Sequence, residues 1–208
     1  NKWWCTKEKN RGQTTSLLLL KMENKKTLIR EVLIPEGITI TIAERIVTVK
    51  GDAEISKKIT TKRLTAEVKE GKVILKPNVK KSSKTEKKLI NTLESHIKNM
   101  IKGVKEPYVY KLKICSSHFP MGVALKGQEI EVTNFIGEKV SRVLKIKEGA
   151  DVKIEGEIIT VTSPNKECAG QIAADIEKMV KRPRFDRRIF MDGIYIIEKA
   201  GVPIKWNK

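Results

Sequence analysis

Apolar residues in this chain recur with two periods. Ile38, Ile40 and Ile42 alternate with threonines, and Val47 and Val49 alternate with polar residues. Leu64, Ala66 and Val68 repeat the pattern before Glu70-Gly71 and the apolar run 73–75. A period of two predicts strands with one buried face, and the Glu-Gly pair predicts a turn, so this stretch reads as antiparallel sheet. Then the period changes: Leu89, Ile90, Leu93, Ile97, Met100 and Ile101 fall on one stripe of a helix. Ser83 and Glu86 have the spacing of a capping box, and Gly103 is placed to end the helix. Further strands are predicted at 109–115, 123–125, 130–133, 140–146, 152–154 and 158–162. A second helix carries Ile172, Ala173, Ile176, Met179 and Val180, starts near Ser163-Pro164-Asn165 and stops before Pro183.

The two halves share more than their element order. Ile34-Pro35-Glu36-Gly37 reappears as Phe119-Pro120-Met121-Gly122, Val47-Thr48 as Val132-Thr133, and Glu70-Gly71 as Glu155-Gly156, always 85 residues on. A spacing kept across separate features marks an internal duplication. The expected fold class is α+β: two tandem duplicated domains, each a small, mainly antiparallel sheet covered by one α-helix. The boundaries drawn are 1–26 for an N-terminal extension, 27–104 for the first repeat domain, 105–182 for the second and 183–208 for a basic C-terminal tail. The junction 103–107 is too short for a floppy tether, so relative motion of the domains is expected to be limited. Before Thr27, Trp3, Trp4, Lys7, Lys9, Arg11 and a lone leucine run show no period, and Met22 is an ordinary start for the duplicated body.

Charge narrows the function. The 208 residues carry 43 Lys+Arg against 25 Asp+Glu, a formal net charge of +18. Such an imbalance raises self-repulsion and attracts polyanions, which an enzyme for a neutral small molecule has no use for. A membrane span is not expected, because the longest apolar run, Leu17 to Leu20, is far short of a bilayer crossing. Cys5, Cys115 and Cys168 are odd in number and widely spaced, which fits a reducing compartment and neither a disulfide framework nor a zinc site.

The cations cluster in two places. Residues 80–113 hold ten lysines and three acids, and residues 178–208 hold nine Lys+Arg and three acids. The first cluster reads equally well as a solvated face. In the second, Lys178, Lys181, Arg182, Arg184, Arg187 and Arg188 crowd around Pro183 and Phe185, with Phe190 and Tyr195 close behind. Arginine forks grip phosphate oxygens in pairs and stack on bases, and aromatics among them suit splayed bases, so the tail is expected to contact RNA. Phe190, Ile194 and Ile196 read as packing residues whatever the ligand, and Asp192-Gly193 as a turn.

No catalytic or metal constellation accompanies the basic surface. His96 and His118 lie in different repeats without a nucleophile at a motif spacing, no Asp/Glu cluster resembles a metal site, and the glycines form no phosphate-cradling loop. His118, in Ser116-Ser117-His118-Phe119, either touches RNA or shapes the turn before Pro120. No cofactor is expected. Two rivals remain open at this point: a nucleic-acid enzyme and a basic protein-interaction module with an acidic partner.

Several ordered motifs resemble one family. The run Asn99-Met100-Ile101-Lys102-Gly103-Val104, then Tyr110-Lys111 and His118-Phe119-Pro120, resembles the middle of the large-subunit ribosomal protein numbered six in the universal scheme and nine in eukaryotes. Asn134-Phe135-Ile136-Gly137-Glu138-Lys139 looks like its "NFLGEK", and Asp192-Gly193-Ile194-Tyr195 with Glu198-Lys199 and Gly201 is similar to its "DGIY…EKG". The resemblance covers about 27–201, favours the archaeal and eukaryotic branch, and leaves residues 1–21 without a counterpart. It implies two duplicated α+β domains, no enzyme activity and binding to large-subunit ribosomal RNA near the sarcin-ricin loop and stalk base, beside stalk-base proteins. It also implies a cytoplasmic ribosomal location, with nucleolar or nuclear assembly in a eukaryote. By resemblance the contacts fall on Lys181, Arg182, Arg184, Arg187, Arg188 and Tyr195, with Lys178 and His118 as further candidates. The loop before the first helix is shorter here than the lysine-rich loop of eukaryotic relatives.

Overall fold

The structure, a computed structural model, describes residues 28–69, 71–78, 83–183, 186 and 189–204. The extension 1–26 and Arg184, Arg187 and Arg188 lie outside the described residues. Six strands and a helix make the first unit: β1 (Arg30–Leu33), β2 (Thr39–Ala43), β3 (Ile46–Lys50), β4 (Glu54–Lys58), β5 (Leu64–Lys69), β6 (Lys72–Pro77) and α1 (Lys84–Lys105). The second repeats that order as β7 (Tyr108–Cys115), β8 (Gly122–Lys126), β9 (Glu129–Thr133), β10 (Arg142–Lys145), β11 (Asp151–Glu155), β12 (Ile158–Ser163) and α2 (Lys166–Met179). It then adds β13 (Gly193–Lys199) and β14 (Val202–Pro203).

Duplication governs the topology as well. Sheet β1-β6-β5 has its counterpart in the first three strands of β7-β12-β11, and β2-β3-β4 in β8-β9-β10; all pairings are antiparallel. The alternation predicted from sequence selects the buried face: Val47, Val49, Val73 and Leu75 close over Ile90 and Ile97 of α1, and Leu112, Ile159 and Val161 over Ile172 and Ile176 of α2. Two α+β units, each with its own core, result.

Local chemistry sets the ends of α1. Ser83 accepts from the Thr85 N–H at 3.2 Å, while Glu86 Oε2 accepts from the Ser83 N–H at 2.8 Å and from the Ser83 hydroxyl, which completes the capping box. The Ser83 hydroxyl and the backbone N–H groups hold the Glu86 carboxyl down at about 2. At the other end Gly103 does not terminate the helix, which runs to Lys105 before Pro107 forbids continuation. Gly103 is there for contact: a Cβ would overlap the Pro164 carbonyl at the entrance to α2 and crowd the Tyr108 ring at 2.9 Å.

That contact belongs to a junction between the units. The Tyr108 hydroxyl donates to the Asn99 carbonyl at 3.1 Å, and Lys166 lies 5.6 Å over the Tyr108 ring. Glu167 of α2 meets Lys57 of β4 and His96 of α1, 2.8 Å from His96 Nδ1. With only Glu106 and Pro107 between α1 and β7, the junction holds the two units side by side.

Residues 193–203, placed in a C-terminal tail by the sequence, form β13 and β14 of the second unit's sheet. Once past Asp192, β13 pairs antiparallel with β7 from Gly193↔Cys115 to Glu198↔Lys111, and buries Ile194 and Ile196 in the second core. Among the described residues the first copy has no strand corresponding to β13. Asp192-Gly193 is likewise not a free turn: Gly193 opens β13 and Asp192 is buried beneath the β7–β8 loop.

Candidate nucleic-acid interface

Residues after α2 and at the start of β13 are brought together by one buried carboxylate and one partly buried arginine. Asp192, with its side chain 5% exposed, accepts from the Ser117 N–H at 2.5 Å and the His118 N–H at 3.1 Å through Oδ1. Its Oδ2 lies 2.6 Å from His118 Nδ1. Burial pushes this carboxyl up, but the His118 and Ser117 N–H groups and the His118 imidazole outweigh it and bring it down to about 2. Asp192 thereby pins the β7–β8 loop to the start of β13.

Pinned in this way, His118 has a defined chemistry. A carboxylate can only accept, so Nδ1 carries the proton and Nε2 is left as the ring's other polar atom. The ring is partly exposed and packs on Phe190 at 5.1 Å between centroids, tilted by 35°. Ser117 Oγ is 3.1 Å from the same Nδ1. A Ser-His-Asp relay needs the nucleophile on one ring nitrogen and the acid on the other. Here both meet Nδ1, so the three residues form an anchor, not a relay.

Arg142 fixes the opposite side. Its Nε and Nη2 donate to the two oxygens of Glu138 at 2.8 and 2.7 Å, Nη1 donates to the Met179 carbonyl at 2.6 Å, and the guanidinium lies 4.6 Å from the Phe135 ring centroid. Met179 is the last residue of α2, so the arginine satisfies a carbonyl that the helix leaves open. The Arg142 hydrogen bonds hold the Glu138 carboxyl below the ordinary carboxylate range, and Arg182 adds to that field. This lock orients the chain as it leaves α2 through Val180, Lys181 and Arg182.

Between the two anchors is a cleft bordered by Ile136, Lys181, Arg182, Phe190 and Tyr195. Of the candidate contacts, the structure places Lys181, Arg182 and Tyr195 on this cleft and His118 beside it, against Phe190. Lys178 is exposed in the last turn of α2, three residues before Lys181. Tyr195 stands opposite Lys113 of β7. The arrangement offers cations and aromatic faces on one rim, the equipment for gripping phosphate and stacking on exposed bases or riboses.

Phe190, read from the sequence as a packing residue, packs against His118 beside this rim; Asp192, Arg142 and Glu138 also support it, and sequence reasoning did not find their roles. Asp192 sits in an Asp-Gly pair that mimics turn chemistry. Glu138 and Arg142 have a helical i,i+4 spacing, but Glu138 follows the one-turn helix Phe135–Gly137, where Asn134 and Ile136 adopt positive φ of 55° and 50°, and Arg142 opens β10. Among the described residues, no group of His, Cys, Asp and Glu gathers to hold a metal ion, and no helix is long and apolar enough to cross a membrane.

Comparison with known proteins gives concordant results. A family model described as ribosomal protein L6 matches residues 34–107 and 119–193, one match for each repeat. Large ribosomal subunit protein uL6 of Methanosarcina mazei is 40% identical over 176 residues, covering 84% of this chain and 99% of that protein. The protein of the same description from Methanococcus vannielii is 42% identical over 176 residues, covering 84% of this chain and 96% of the relative.

Proposed function

Because the chain belongs to the ribosomal protein L6 family, structural constituents of the large ribosomal subunit and not enzymes, we propose that its second domain clamps large-subunit ribosomal RNA near the sarcin-ricin loop and the base of the stalk. The observation that carries this reading is the meeting of Lys181, Arg182 and Tyr195 on one cleft, with His118 beside it. Lys178, Arg184, Arg187 and Arg188 complete the proposed contact set. Neighbouring ribosomal proteins at the stalk base share the site, and in a eukaryotic cell assembly begins in the nucleolus.

Counterion release supplies the affinity. Each neutralised phosphate adds roughly 0.7 to 0.9 to the dependence of log K on log salt, so about five cations give a slope near −4. Direction comes from the scaffold: Asp192 and Arg142 hold both sides of the rim before RNA arrives, which spares the ordering cost that a flexible basic tail incurs. His118 Nε2 accepts from a ribose 2′-hydroxyl, a group that separates RNA from DNA. Tyr195 and Phe190 offer faces for stacking.

The test is binding of large-subunit RNA by the full chain across a salt series. The wild type is expected to show a slope near −4 from this rim. The double variant Lys181→Gln/Arg182→Gln should flatten it by about 1.5 while circular dichroism stays unchanged. A slope that the double variant leaves in place removes this rim as the RNA site.

A further inference from the structure

The sequence left the first lysine cluster undecided between a solvated face and a ligand surface, and the helix geometry decides it. On α1, Lys84, Lys88, Lys98, Lys102 and Lys105 follow alternating steps of four and three residues, with Asn91 and Ser95 filling the gap. That spacing puts them on a single stripe running about 32 Å along the axis at 1.5 Å per residue. All seven residues are exposed. The opposite face of α1 carries Ile90, Ile97, Met100, Ile101 and Val104 into the core, so the stripe faces away from the sheets.

Three features set this stripe apart from an ordinary soluble helix face. Among the described residues only Lys98 has an acidic partner, Glu94 at 2.7 Å, and that carboxylate is shared with Arg30 at 3.8 Å. A solvated helix of this length normally intersperses acids at i,i+4, and among the described residues Glu94–Lys98 is the one such pair along the stripe. Second, Lys84, Lys87 and Lys88 stand in the first turns of α1, where the helix dipole disfavours cations, and Glu86 is the one acid of the first turn, already committed to the cap. Third, the polar gap is equipped for sugar contacts. The Thr92 hydroxyl donates back to the Lys88 carbonyl at 2.8 Å and the Ser95 hydroxyl to the Asn91 carbonyl at 2.9 Å, so both oxygens present lone pairs outward.

We propose that the outer face of α1 is a second RNA-binding surface, taking the backbone of a double-helical RNA segment distinct from the one at the second-domain rim. The partner class follows from composition. The stripe has no aromatic, no arginine and no apolar anchor, so it cannot stack on bases or seat the hydrophobic side chains that an acidic peptide would bring. Two lysine groups flanking a hydroxyl-and-amide centre match alternating phosphate and 2′-hydroxyl edges of an A-form helix, which is read by shape and backbone. The junction of Glu167 with Lys57 and His96 keeps this face at a set position relative to the second-domain rim, so two RNA segments would be held at one spacing. Only the choice of large-subunit RNA as the probe rests on the function proposed above.

The experiment uses the full chain with Lys84, Lys88, Lys102 and Lys105 all changed to Gln, a residue of similar helix propensity. Binding to large-subunit RNA is measured from 50 to 200 mM salt. Losing four phosphate contacts should flatten the salt slope by about 3, so the wild type should lose about 60-fold more affinity than the variant over that range. The same four positions changed to Arg should restore the wild-type slope. If the Gln variant keeps the wild-type slope while Lys181→Gln/Arg182→Gln flattens it, the stripe is a solvated face and the proposal falls, with the second-domain reading intact. If RNA binding is unaltered but binding to polyglutamate drops, the occupant is an acidic protein segment and the RNA proposal falls. If neither set of substitutions alters the slope, both readings fail together.

Discussion

Replacing Asp192 with alanine tests whether the RNA-facing rim is built before RNA arrives. The carboxylate is buried and holds two backbone N–H groups and one imidazole N–H, at 2.5, 3.1 and 2.6 Å. Hydrogen bonds to a charged group contribute about 1.5 to 3 kcal/mol each, but these share one side chain, and the freed His118 ring can turn to water. The loss should therefore be about 3 kcal/mol, most of it from the Ser117 and His118 amides left without an acceptor. Asp192→Asn keeps an oxygen for those amides and should lose about 1 to 2 kcal/mol. Urea unfolding of the full chain followed by far-ultraviolet circular dichroism measures both, and hydrogen exchange at Ser117 and His118 localises the effect. RNA affinity should fall in the same order, because His118 and the strand that carries Tyr195 lose their common anchor. An alanine variant that unfolds with the wild type, with unchanged exchange at residues 117 and 118, would refute the reasoning.

Other outcomes rest on individual contacts. Gly103→Ala on an open helix face would stabilise by up to about 1 kcal/mol; here the added Cβ meets the Pro164 carbonyl, so the variant should be destabilised by about 1 to 3 kcal/mol, read from its unfolding midpoint. Ser83→Ala should cost about 1 kcal/mol and increase hydrogen exchange in the first turn of α1 only. The Glu86 and Asp192 carboxyls are both held down to about 2 in the fold, so their contribution is complete above the ordinary carboxylate range near 4 and is lost as pH falls through about 2. Acid unfolding of Asp192→Asn should accordingly show a shallower pH dependence between about pH 4 and 2 than the wild type. His118→Ala should weaken RNA binding, since it removes a ring nitrogen beside the cleft; a wild-type affinity would show that the ring serves the loop alone.

Much of the architecture was legible because its signals are local. The capping box at Ser83 and Glu86 sits where the spacing put it, and the alternating positions of β3 and β6 bury Val47, Val49, Val73 and Leu75 as expected, whereas in β5 only Leu64 is buried and Val68, near the strand's end, is exposed. Strands β1 and β4 escaped notice because Arg30–Leu33 and Glu54–Lys58 each bury one residue, Val32 and Ile55, too few to show a period. Gly103 carries the chemistry of a helix stop, and only the arrival of Pro164 from the second unit reveals it as a packing site. Asp192-Gly193 misled for the same reason: its partners at Ser117 and His118 lie more than 70 residues away in the chain. Charge density, by contrast, survives folding, so Lys181 and Arg182 were found as a cluster, while the Glu138–Arg142 lock beneath them required the fold to place Met179 within reach.

A map of the assembled large subunit tests the central claim most directly. The account predicts that the Lys181 ammonium and Arg182 guanidinium lie within about 4 Å of RNA phosphate oxygens, with Tyr195 against the same RNA segment. Lys181, Arg182 and Tyr195 all facing bulk solvent in that particle would contradict it.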